Sequence, residues 1–403
     1  MATAILSPDA PDVTGAAADT AAGATNGALG ESGERIASIE AIPFSIPYVK
    51  PLKFASGEVR DAAHILIKLT TTSGIVGYAE APPRPYTYGE TQASIKALVE
   101  GVFAPQLVGL RITERERAHA LMHRTVGNPT AKSSVDMALW DVLGKSLGTS
   151  VHDLLGAWSP DMRVSHMLGF ADPDVMVAEA QRMIDEHGIR TFKVKVGRNP
   201  YRLDVAVCRA LRETFGDTIE LYVDGNRGWS ATDSARAMRE MDDLDLLFAE
   251  ELNPADDVMG RRWLVSQTNV PYIADESATT PGEVTRELLG GSATAVSIKT
   301  ARTGFTISQR ILGQATGLGV EVVMGNQIDG QIGTACTAIF GSAHEATHRR
   351  AGELSNFLDM SDDLLTEPLQ IRDGLLAAPG GPGKPGLGID IDQEKLTRYR
   401  QDG

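Results

Sequence analysis

Five acidic and basic residues recur along this chain at nearly constant intervals. They are, in order, Lys195, Asp224, Glu250, Asp275 and Lys299, and successive members are 24 to 29 residues apart. Each one lies at or just after the end of a short apolar run, and a helix-like stretch follows each run. Three carboxylates brought together form a site for a hard divalent cation such as Mg²⁺ or Mn²⁺. Lysines beside such a site can transfer protons.

The spacing also predicts the fold that brings these residues together. A strand, its return helix and two loops fill such an interval in a (β/α) barrel, and all the strands of a barrel end at one mouth. Seven helical segments alternate with the strands, so the sequence predicts an α/β fold with a (β/α)7β TIM-like barrel. The predicted strands lie at about 163–168, 191–196, 219–224, 246–250, 271–275, 294–299, 320–324 and 352–357.

Other patterns lie on either side of the barrel. Residues 35–80 alternate apolar and polar side chains like a β-meander, and 89–123 and 130–147 have a helical pattern. Residues 1–33 contain no Lys or Arg and little apolar surface, which predicts disorder. The predicted organisation is a tail over 1–33, an α+β capping domain with lid loops over 34–160, the barrel with its active site over 161–365, and a C-terminal segment over 366–403 that returns to the capping domain.

Composition limits the classes of partner. The chain has 403 residues and a net charge of −15, which argues against nucleic acid or an anionic membrane as the main partner. No run of about 18 apolar residues occurs, so no membrane span is predicted. The two cysteines, Cys208 and Cys336, fall in different predicted repeats, which fits a reducing cytoplasm without a disulfide framework. We therefore expect a cytoplasmic protein that acts on a small molecule.

The segment FKVKVG places two lysines on one strand. Side chains alternate along a strand, so Lys193 and Lys195 point to the same face. Two neighbouring ammonium groups repel each other, and this is expected to lower the pKa of at least one of them and to make it a base near neutral pH. The alternative interpretation is a pair of surface lysines on an edge strand.

The three carboxylates together indicate a cation site more strongly than any one of them does. An acid after a strand is ordinarily a helix cap or a solvated turn, but here VDGN, FAEE and IADES occur on consecutive repeats. Acids clustered in one mouth repel each other unless a cation lies among them. Lys299 follows the next strand and is predicted to lie across the mouth from Lys195, so that a bound substrate has an ammonium group on each face.

The ordered set FKVKVG, VDGN, FAEE, IADES and SIKTARTG resembles the enolase superfamily, and within it the muconate-lactonizing-enzyme subgroup. The resemblance runs from about residue 34 and includes the closing PGLGIDID. It implies a homo-oligomer, often an octamer, and a reaction through an enediolate intermediate. The residues to which it gives roles are Asp224, Glu250 and Asp275 as ligands of Mn²⁺ or Mg²⁺, Lys195 and Lys299 as the acid/base pair, Lys193 as a support for Lys195 that helps to hold the substrate carboxylate, and Asn226 as a pocket residue.

Two positions bear on the choice within the subgroup. The eighth strand reads GELSNFLDM, which has Glu353 but lacks the Asp-x-Asp pair typical of dipeptide epimerases. Muconate cycloisomerases carry a Glu at this position. Asp329 follows the seventh strand, where mandelate-type racemases use a His. The resemblance therefore implies that Glu353 and Asp329 help to bind substrate in a cycloisomerase.

Aromatic residues near the N-terminus predict a lid. PLKFASGEV and PPRPYTYGE supply Phe54, Tyr86 and Tyr88 for mobile loops over the mouth, and such loops tune substrate choice. The alternative is that these aromatic side chains only pack within the capping domain.

The activity implied by the resemblance is that of an isomerase, an intramolecular lyase that interconverts cis,cis-muconate and muconolactone. Three alternatives stay open: an N-acylamino-acid racemase or dipeptide epimerase, an o-succinylbenzoate synthase, and a non-enzymatic barrel kept for binding or assembly. Gly225 and the missing proline directly after the acids of FAEELNP depart from the usual motifs, although neither removes a predicted ligand.

Overall fold

The computed structural model describes residues 33–54, 57–380 and 384–402, without the side chains of residues 52–54, 57 and 58. The predicted tail, apart from Gly33, lies outside these residues. Glu34–Gly403 forms one compact unit. Within the described part of the chain, no helix is both long and apolar enough to cross a bilayer.

The capping domain begins with a three-stranded antiparallel sheet, as the alternating pattern predicts. Ile65, Ile67 and Leu69 alternate along one strand and are fully buried against the helices. The two ends of the segment PLKFASGEV, which was predicted to supply a mobile loop over the mouth, pair with each other, Leu52 with Val59, and extend the sheet. The strands are β1 (Ile36–Phe54), β2 (Gly57–Thr71) and β3 (Val76–Ala81).

Helices cover this sheet. The predicted helix over 130–147 is confirmed and ends where expected, at Gly148 with a left-handed φ of 67°. The predicted helical run over 89–123 is divided into short helices by turns. The helices are α1 (Pro85–Tyr88), α2 (Gln92–Leu98), a π-helical turn (Val99–Phe103), α3 (Ala104–Leu107), α4 (Arg115–Met122), α5 (Pro129–Leu147) and α6 (Val151–Leu155).

Eight parallel strands follow in sequential order, and the last pairs with the first. They match the predicted strands except at the end of the eighth, where only Gly352–Glu353 is extended. Ser355 takes helical dihedral angles (φ −105°, ψ −2°), so the chain turns into a 3₁₀-helix instead of continuing the strand. The strands are β4 (Asp161–Leu168), β5 (Thr191–Lys195), β6 (Glu220–Asp224), β7 (Leu246–Glu250), β8 (Tyr272–Ala274), β9 (Ala295–Ile298), β10 (Glu321–Met324) and β11 (Gly352–Glu353).

The connections between these strands are helical, which gives the predicted (β/α)7β barrel. Short 3₁₀ turns occur at Gly216–Thr218, Asp242–Leu244 and Asn356–Asp359. The helices are α7 (Pro173–His187), α8 (Arg202–Phe215), α9 (Ala231–Glu240), α10 (Val258–Val265), α11 (Pro281–Gly290), α12 (Thr300–Gly317), α13 (Gln331–Ala343) and α14 (Glu345–His348).

A buried aspartate joins the capping domain to the barrel. Asp136 of α5 accepts hydrogen bonds from the backbone N–H groups of Phe305 and Thr306, at 2.8 and 3.0 Å. These groups lie just after Gly304, where α12 is interrupted by a φ of 57°. A side chain at Gly304 would collide with the Asp136 carboxylate. The contact fixes the chain that follows Lys299.

The C-terminal segment contacts both parts. Strands β12 (Ile371–Arg372) and β13 (Leu375–Ala377) form a hairpin that pairs antiparallel with β4. The last helix, α15 (Gln393–Tyr399), precedes residues that return to β1, where the Gln401 N–H donates to the Pro43 carbonyl at 2.9 Å.

Candidate active site

Two adjoining cavities lie where the barrel strands end and the capping domain covers them. The inner cavity, of about 40 Å³, is lined by some of the predicted chemical groups, and the outer cavity, of about 390 Å³, adjoins it. Asp224 and Glu250 are buried and line neither cavity. Arg84, Lys195 and Asn226 line both. Met167 and Glu276 line both as well, whereas Lys193, Asp275, Lys299 and Glu353 line the inner cavity, and Tyr86 and Phe170 line the outer one.

Lys193 is almost fully buried among carboxylates. Its Nζ lies 2.8 Å from Oδ2 of Asp224, 2.9 Å from Oε2 of Glu250 and 2.6 Å from Oε1 of Glu353. Burial alone would lower the pKa of Lys193, but these three anions raise it well above its ordinary value. The predicted lowering of a lysine pKa is therefore wrong for Lys193, because three anions outweigh the one neighbouring ammonium of Lys195.

Lys195 lies on the same face of the strand as Lys193, as predicted, and both lysines contact Oδ2 of Asp224. The Lys195 Nζ lies 2.6 Å from that oxygen and also donates a hydrogen bond to Oδ1 of Asn226. The amide of Asn226 in turn donates to Oε1 of Glu276 at 3.1 Å. The Lys195 side chain is 13% exposed against 1% for Lys193. Lys195 is therefore the lysine of this strand that a ligand in the outer cavity can reach.

Lys299 and Arg302 hold the third predicted metal ligand. The Lys299 Nζ lies 2.6 Å from Oδ2 of Asp275, and Nη1 of Arg302 donates to its Oδ1 at 2.6 Å. Burial would raise the pKa of Asp275, but these two cations hold it well below its usual range. The same Nη1 donates to the hydroxyl of Tyr88 at 3.0 Å. The capping domain thus contacts the site through Tyr88.

Glu251 fixes the loop that carries Asp275. Its Oε2 accepts hydrogen bonds from the backbone N–H groups of Asp275 and Ser277, at 2.8 and 3.1 Å, and from the Ser277 hydroxyl at 2.8 Å. Nη1 of Arg261 lies 3.7 Å from its other oxygen. Of the two acids in FAEE, Glu251 therefore supports the structure, while Glu250 contacts Lys193.

The predicted metal ligands fit a divalent cation in their chemistry. Oε1 of Glu250 is buried and makes no hydrogen bond. Burial raises the pKa of Glu250 well above its usual value. The charge of Lys193 opposes this rise, and the charges of Asp224 and Asp275 add to it. Three neighbouring carboxylates, one with an oxygen that has no hydrogen-bond partner, are the oxygen donors that Mg²⁺ or Mn²⁺ prefers. However, no three His, Cys, Asp or Glu side chains of the described residues form a preformed metal-holding group, so cation binding requires the lysines and carboxylates to rearrange.

The remaining predicted substrate residues differ in position. Glu353 lines the inner cavity, and Tyr86 lines the outer cavity with 74% of its surface exposed. Asp329 is buried and lines neither cavity; its neighbour Ile328 lines both, where the backbone turns with a φ of 59°. The side chain of Phe54 lies outside the described part of the chain.

Sequence reasoning missed three residues at the site: Arg84, Arg302 and His64. Arg302 lies within the quoted motif SIKTARTG, and its proximity to Lys299 is the signal that could have found it. His64 is a polar side chain at a buried strand position; it lines the outer cavity, and its Nδ1 lies 2.5 Å from Oε1 of Glu80. Arg84 is marked only by the prolines around it.

Comparison with known proteins gives matches over nearly the whole described chain. Residues 38–156 match the family described as mandelate racemase / muconate lactonizing enzyme, N-terminal domain, and residues 175–395 match enolase C-terminal domain-like proteins. A solved structure of muconate lactonizing enzyme from Mucobacterium Smegmatis, complexed with muconolactone, is 68% identical with a TM-score of 0.89, over 91% of this chain and 100% of that one.

Two curated relatives are more distant. Muconate cycloisomerase 1 of Pseudomonas putida is 30% identical over 91% of this chain and 98% of its own length. L-Ala-D/L-Glu epimerase of Bacillus subtilis (strain 168) is also 30% identical, over 88% of this chain and 96% of its own length. These relatives are isomerases, and the present chain is an isomerase as well. With both domains matched in order, the chain belongs to the enolase superfamily and, within it, to the mandelate racemase / muconate lactonizing enzyme family.

Proposed function

We propose that this chain is a muconate cycloisomerase, which interconverts cis,cis-muconate and muconolactone. The observation that carries the proposal is the 68% identity, over the full length of the other chain, to a muconate lactonizing enzyme solved with muconolactone. The epimerase relative supports an alternative activity at only 30% identity. The absence of an Asp-x-Asp pair around Glu353 also favours the cycloisomerase.

The reaction is an internal addition that needs one proton. In the direction of lactone formation, an oxygen of the second carboxylate bonds to the carbon that is β to the first carboxylate. The electron pair of that double bond moves toward the first carboxylate and gives an enediolate, and a proton then adds to the α-carbon. We assign this proton to Lys195 or Lys299, which lie in the inner cavity at the ends of different strands.

The other predicted residues hold the reacting end of the substrate. Asp224, Glu250 and Asp275 would hold the divalent cation, which when bound supplies positive charge that stabilises the enediolate. Lys193 keeps its proton, because its pKa is raised by the acids around it, and it adds fixed positive charge to the inner cavity. Asn226 orients Lys195 through the hydrogen bond between them.

The test is a substrate comparison with the full chain. Purified protein with Mg²⁺ or Mn²⁺ is given cis,cis-muconate, N-succinyl amino acids or dipeptides, and the loss of muconate absorbance and the exchange of α-protons in D₂O are followed. We expect turnover of muconate to muconolactone, and none in a Lys195→Met/Lys299→Met double variant. Racemisation of the amino-acid derivatives with muconate left unchanged would refute the proposal and favour the racemase or epimerase.

A further inference from the structure

A mostly buried glutamate at the boundary of the two cavities takes no part in the mechanism described above. Glu276 follows Asp275 in the chain and lines both cavities, and its side chain is 8% exposed. Its Oε1 accepts the hydrogen bond from Nδ2 of Asn226 at 3.1 Å, whereas its Oε2 is buried without a hydrogen-bond partner. Glu276 therefore reaches Lys195 through a single intermediate, the amide of Asn226.

The hydrogen bonds that join these three side chains can run in only one direction. The ammonium group of Lys195 can only donate, so it must meet the amide oxygen of Asn226, as it does. The amide nitrogen of Asn226 then points the other way and needs an acceptor, which Oε1 of Glu276 supplies. With an acceptor on that side, the amide is held with its oxygen toward Lys195. A reversed amide would set its own N–H groups against the ammonium.

The backbone of Asn226 is already fixed by the turn that follows its strand. Asn226 has a left-handed φ of 38°, and its N–H donates to Oδ1 of Asp224 at 2.8 Å. The turn also lies against the next loop, where a side chain at Gly225 would collide with the backbone of Leu252. The freedom that remains to Asn226 is rotation of its side chain, and this rotation is what the hydrogen bond to Glu276 restricts.

The other contact of Lys195 depends on the cation. Lys195 Nζ lies 2.6 Å from Oδ2 of Asp224, one of the three predicted metal ligands. A cation bound by Asp224 competes with Lys195 for that carboxylate. Asn226 is not among the predicted ligands, so its hydrogen bond to Lys195 does not face this competition. The amide therefore becomes the main support of Lys195 when the cation is bound.

Arg227 is the second neighbour of Glu276. Its Nε lies 3.6 Å from Oε1 of Glu276, which is beyond hydrogen-bond distance, and its side chain is 35% exposed. Such a contact is partly screened by solvent and contributes little to holding the glutamate. Replacing Arg227 removes this neighbour and leaves the hydrogen bond between Glu276 and Asn226 in place, which makes it a matched control.

We propose that Glu276 is a positioning residue, which holds the amide of Asn226 so that Lys195 is directed at the reacting part of the substrate. The inference rests on the proposed function for the reaction that Lys195 serves. The orientation of Lys195 itself can be observed without a substrate.

The first experiment measures the turnover of muconate by the full chain with saturating Mg²⁺. We expect Glu276→Met to lower kcat at least tenfold and to change KM less than threefold, because the lysine is misdirected while the cavity remains. Glu276→Gln keeps an accepting oxygen and should retain at least a third of the wild-type kcat. Arg227→Met should change kcat less than twofold. Circular dichroism shows whether each variant is folded.

A double-mutant cycle tests whether Glu276 acts through Asn226. If it does, the Glu276→Met/Asn226→Ala variant should have a kcat within twofold of that of Asn226→Ala alone. Losses that multiply would overturn the inference, as would a kcat of Glu276→Met within twofold of wild type. A loss in Glu276→Gln as large as that in Glu276→Met, or a similar loss in Arg227→Met, would assign the effect to charge and overturn it as well.

Crystal structures without substrate separate this inference from the proposed function. The hydrogen bond between Lys195 and Asn226 should be present in wild type and Glu276→Gln and absent in Glu276→Met. Its persistence in Glu276→Met would refute the positioning role. If wild-type protein does not turn over muconate but the hydrogen bond is lost in Glu276→Met, the proposed function fails and the control of Lys195 by Glu276 stands.

Discussion

The ammonium nitrogen of Lys193 lies 2.8 Å from Oδ2 of Asp224, in the interior of the barrel. Lys193 also contacts Glu250 and Glu353, so one buried cation is shared by three buried carboxylates. Such a lysine is a poor base, because removing its proton would leave all three acids uncompensated. This arrangement separates the two lysines of FKVKVG: in the proposed mechanism Lys193 supplies fixed charge, and Lys195 is a candidate for proton transfer.

Replacement of Lys193 tests this separation. We expect Lys193→Met to lower the stability at neutral pH by roughly 3–5 kcal/mol, the usual cost of leaving buried charges unpaired. Mg²⁺ should restore part of the loss, since it supplies positive charge to the same acids. Melting temperatures measured in EDTA and in excess Mg²⁺ provide the check. If Lys193→Met and wild type melt at the same temperature in EDTA, the expected loss of stability is contradicted.

Removal of the cation should abolish activity. We expect EDTA to stop the turnover of muconate, and Mg²⁺ or Mn²⁺ to restore it. Glu250→Gln should weaken Mg²⁺ binding at least tenfold in calorimetry, because Oε1 of Glu250 is a buried oxygen without another partner. Asp256→Asn is a matched control, since Asp256 is an exposed acid in the loop after the same strand. Equal effects of the two substitutions would exclude a specific role for Glu250.

Arg261 offers a test of the support beneath the site. It is fully buried, and its Nη2 lies 2.9 Å from Oε2 of Glu287. Arg261→Met leaves Glu287 without this partner in the interior and should lower the stability by roughly 3–5 kcal/mol. The neighbouring Arg262 is exposed, so Arg262→Met should change the free energy of unfolding by less than about 0.5 kcal/mol. Denaturant unfolding of both variants distinguishes these values, and similar losses would refute the explanation.

The sequence predicted the barrel well because strand ends leave a periodic signal. Lys195, Asp224 and Glu250 each close an apolar run, and the structure places each of the three at the last position of its strand. The eighth strand was predicted too long because GELSNFLD has apolar residues that pack after a turn. Such a turn depends on tertiary contacts, which single-sequence patterns do not record.

The rest of the site depends on contacts between side chains that are far apart in the sequence. Arg302 contacts Tyr88, a residue of the capping domain that is more than 200 positions earlier, and no local pattern links the two. Likewise, the raised pKa of Lys193 comes from Glu353, Asp224 and Glu250 on three other strands. Sequence reasoning considered burial and the repulsion between Lys193 and Lys195 but not these acids, and so it predicted a lowered pKa for at least one of the two lysines.

Asp329 predicts a specific dependence of stability on pH. Burial, and then the charge of Glu80, raise the pKa of Asp329 to about 8 in the folded protein, whereas an unfolded Asp has a pKa near 4. Between about pH 4 and pH 8 the unfolded state therefore binds fewer protons at this residue, and its contribution to stability falls as the pH rises. Above about pH 8 both states are ionised, and no further loss occurs.

In Asp329→Asn this contribution is absent. The difference between the melting temperatures at pH 5 and pH 8 should therefore be smaller in Asp329→Asn than in wild type. Asp256→Asn, in which the replaced acid is exposed, should keep the wild-type difference. An unchanged difference in Asp329→Asn would show that the carboxyl is ionised in the folded protein at neutral pH.

The two candidate proton donors should behave differently when each is replaced. A racemase needs one acid/base group on each face of the α-carbon, but cycloisomerisation needs a single donor, because the attacking group is the substrate's own second carboxylate. We therefore expect one of Lys195→Ala and Lys299→Ala to abolish both lactone formation and exchange of the lactone α-proton with D₂O. The other should retain part of the exchange, since it acts through its charge.

Proton NMR of muconolactone incubated with each variant in D₂O measures this exchange, and absorbance follows lactone formation. The two lysines contact different acids, Lys195 with Asp224 and Lys299 with Asp275, so each substitution removes one ammonium and leaves the other pair in place. Circular dichroism with Mg²⁺ present shows whether each variant is folded. Complete loss of exchange in both folded variants would mean that both lysines transfer protons, and the single-donor mechanism would then have to be replaced by a two-base one.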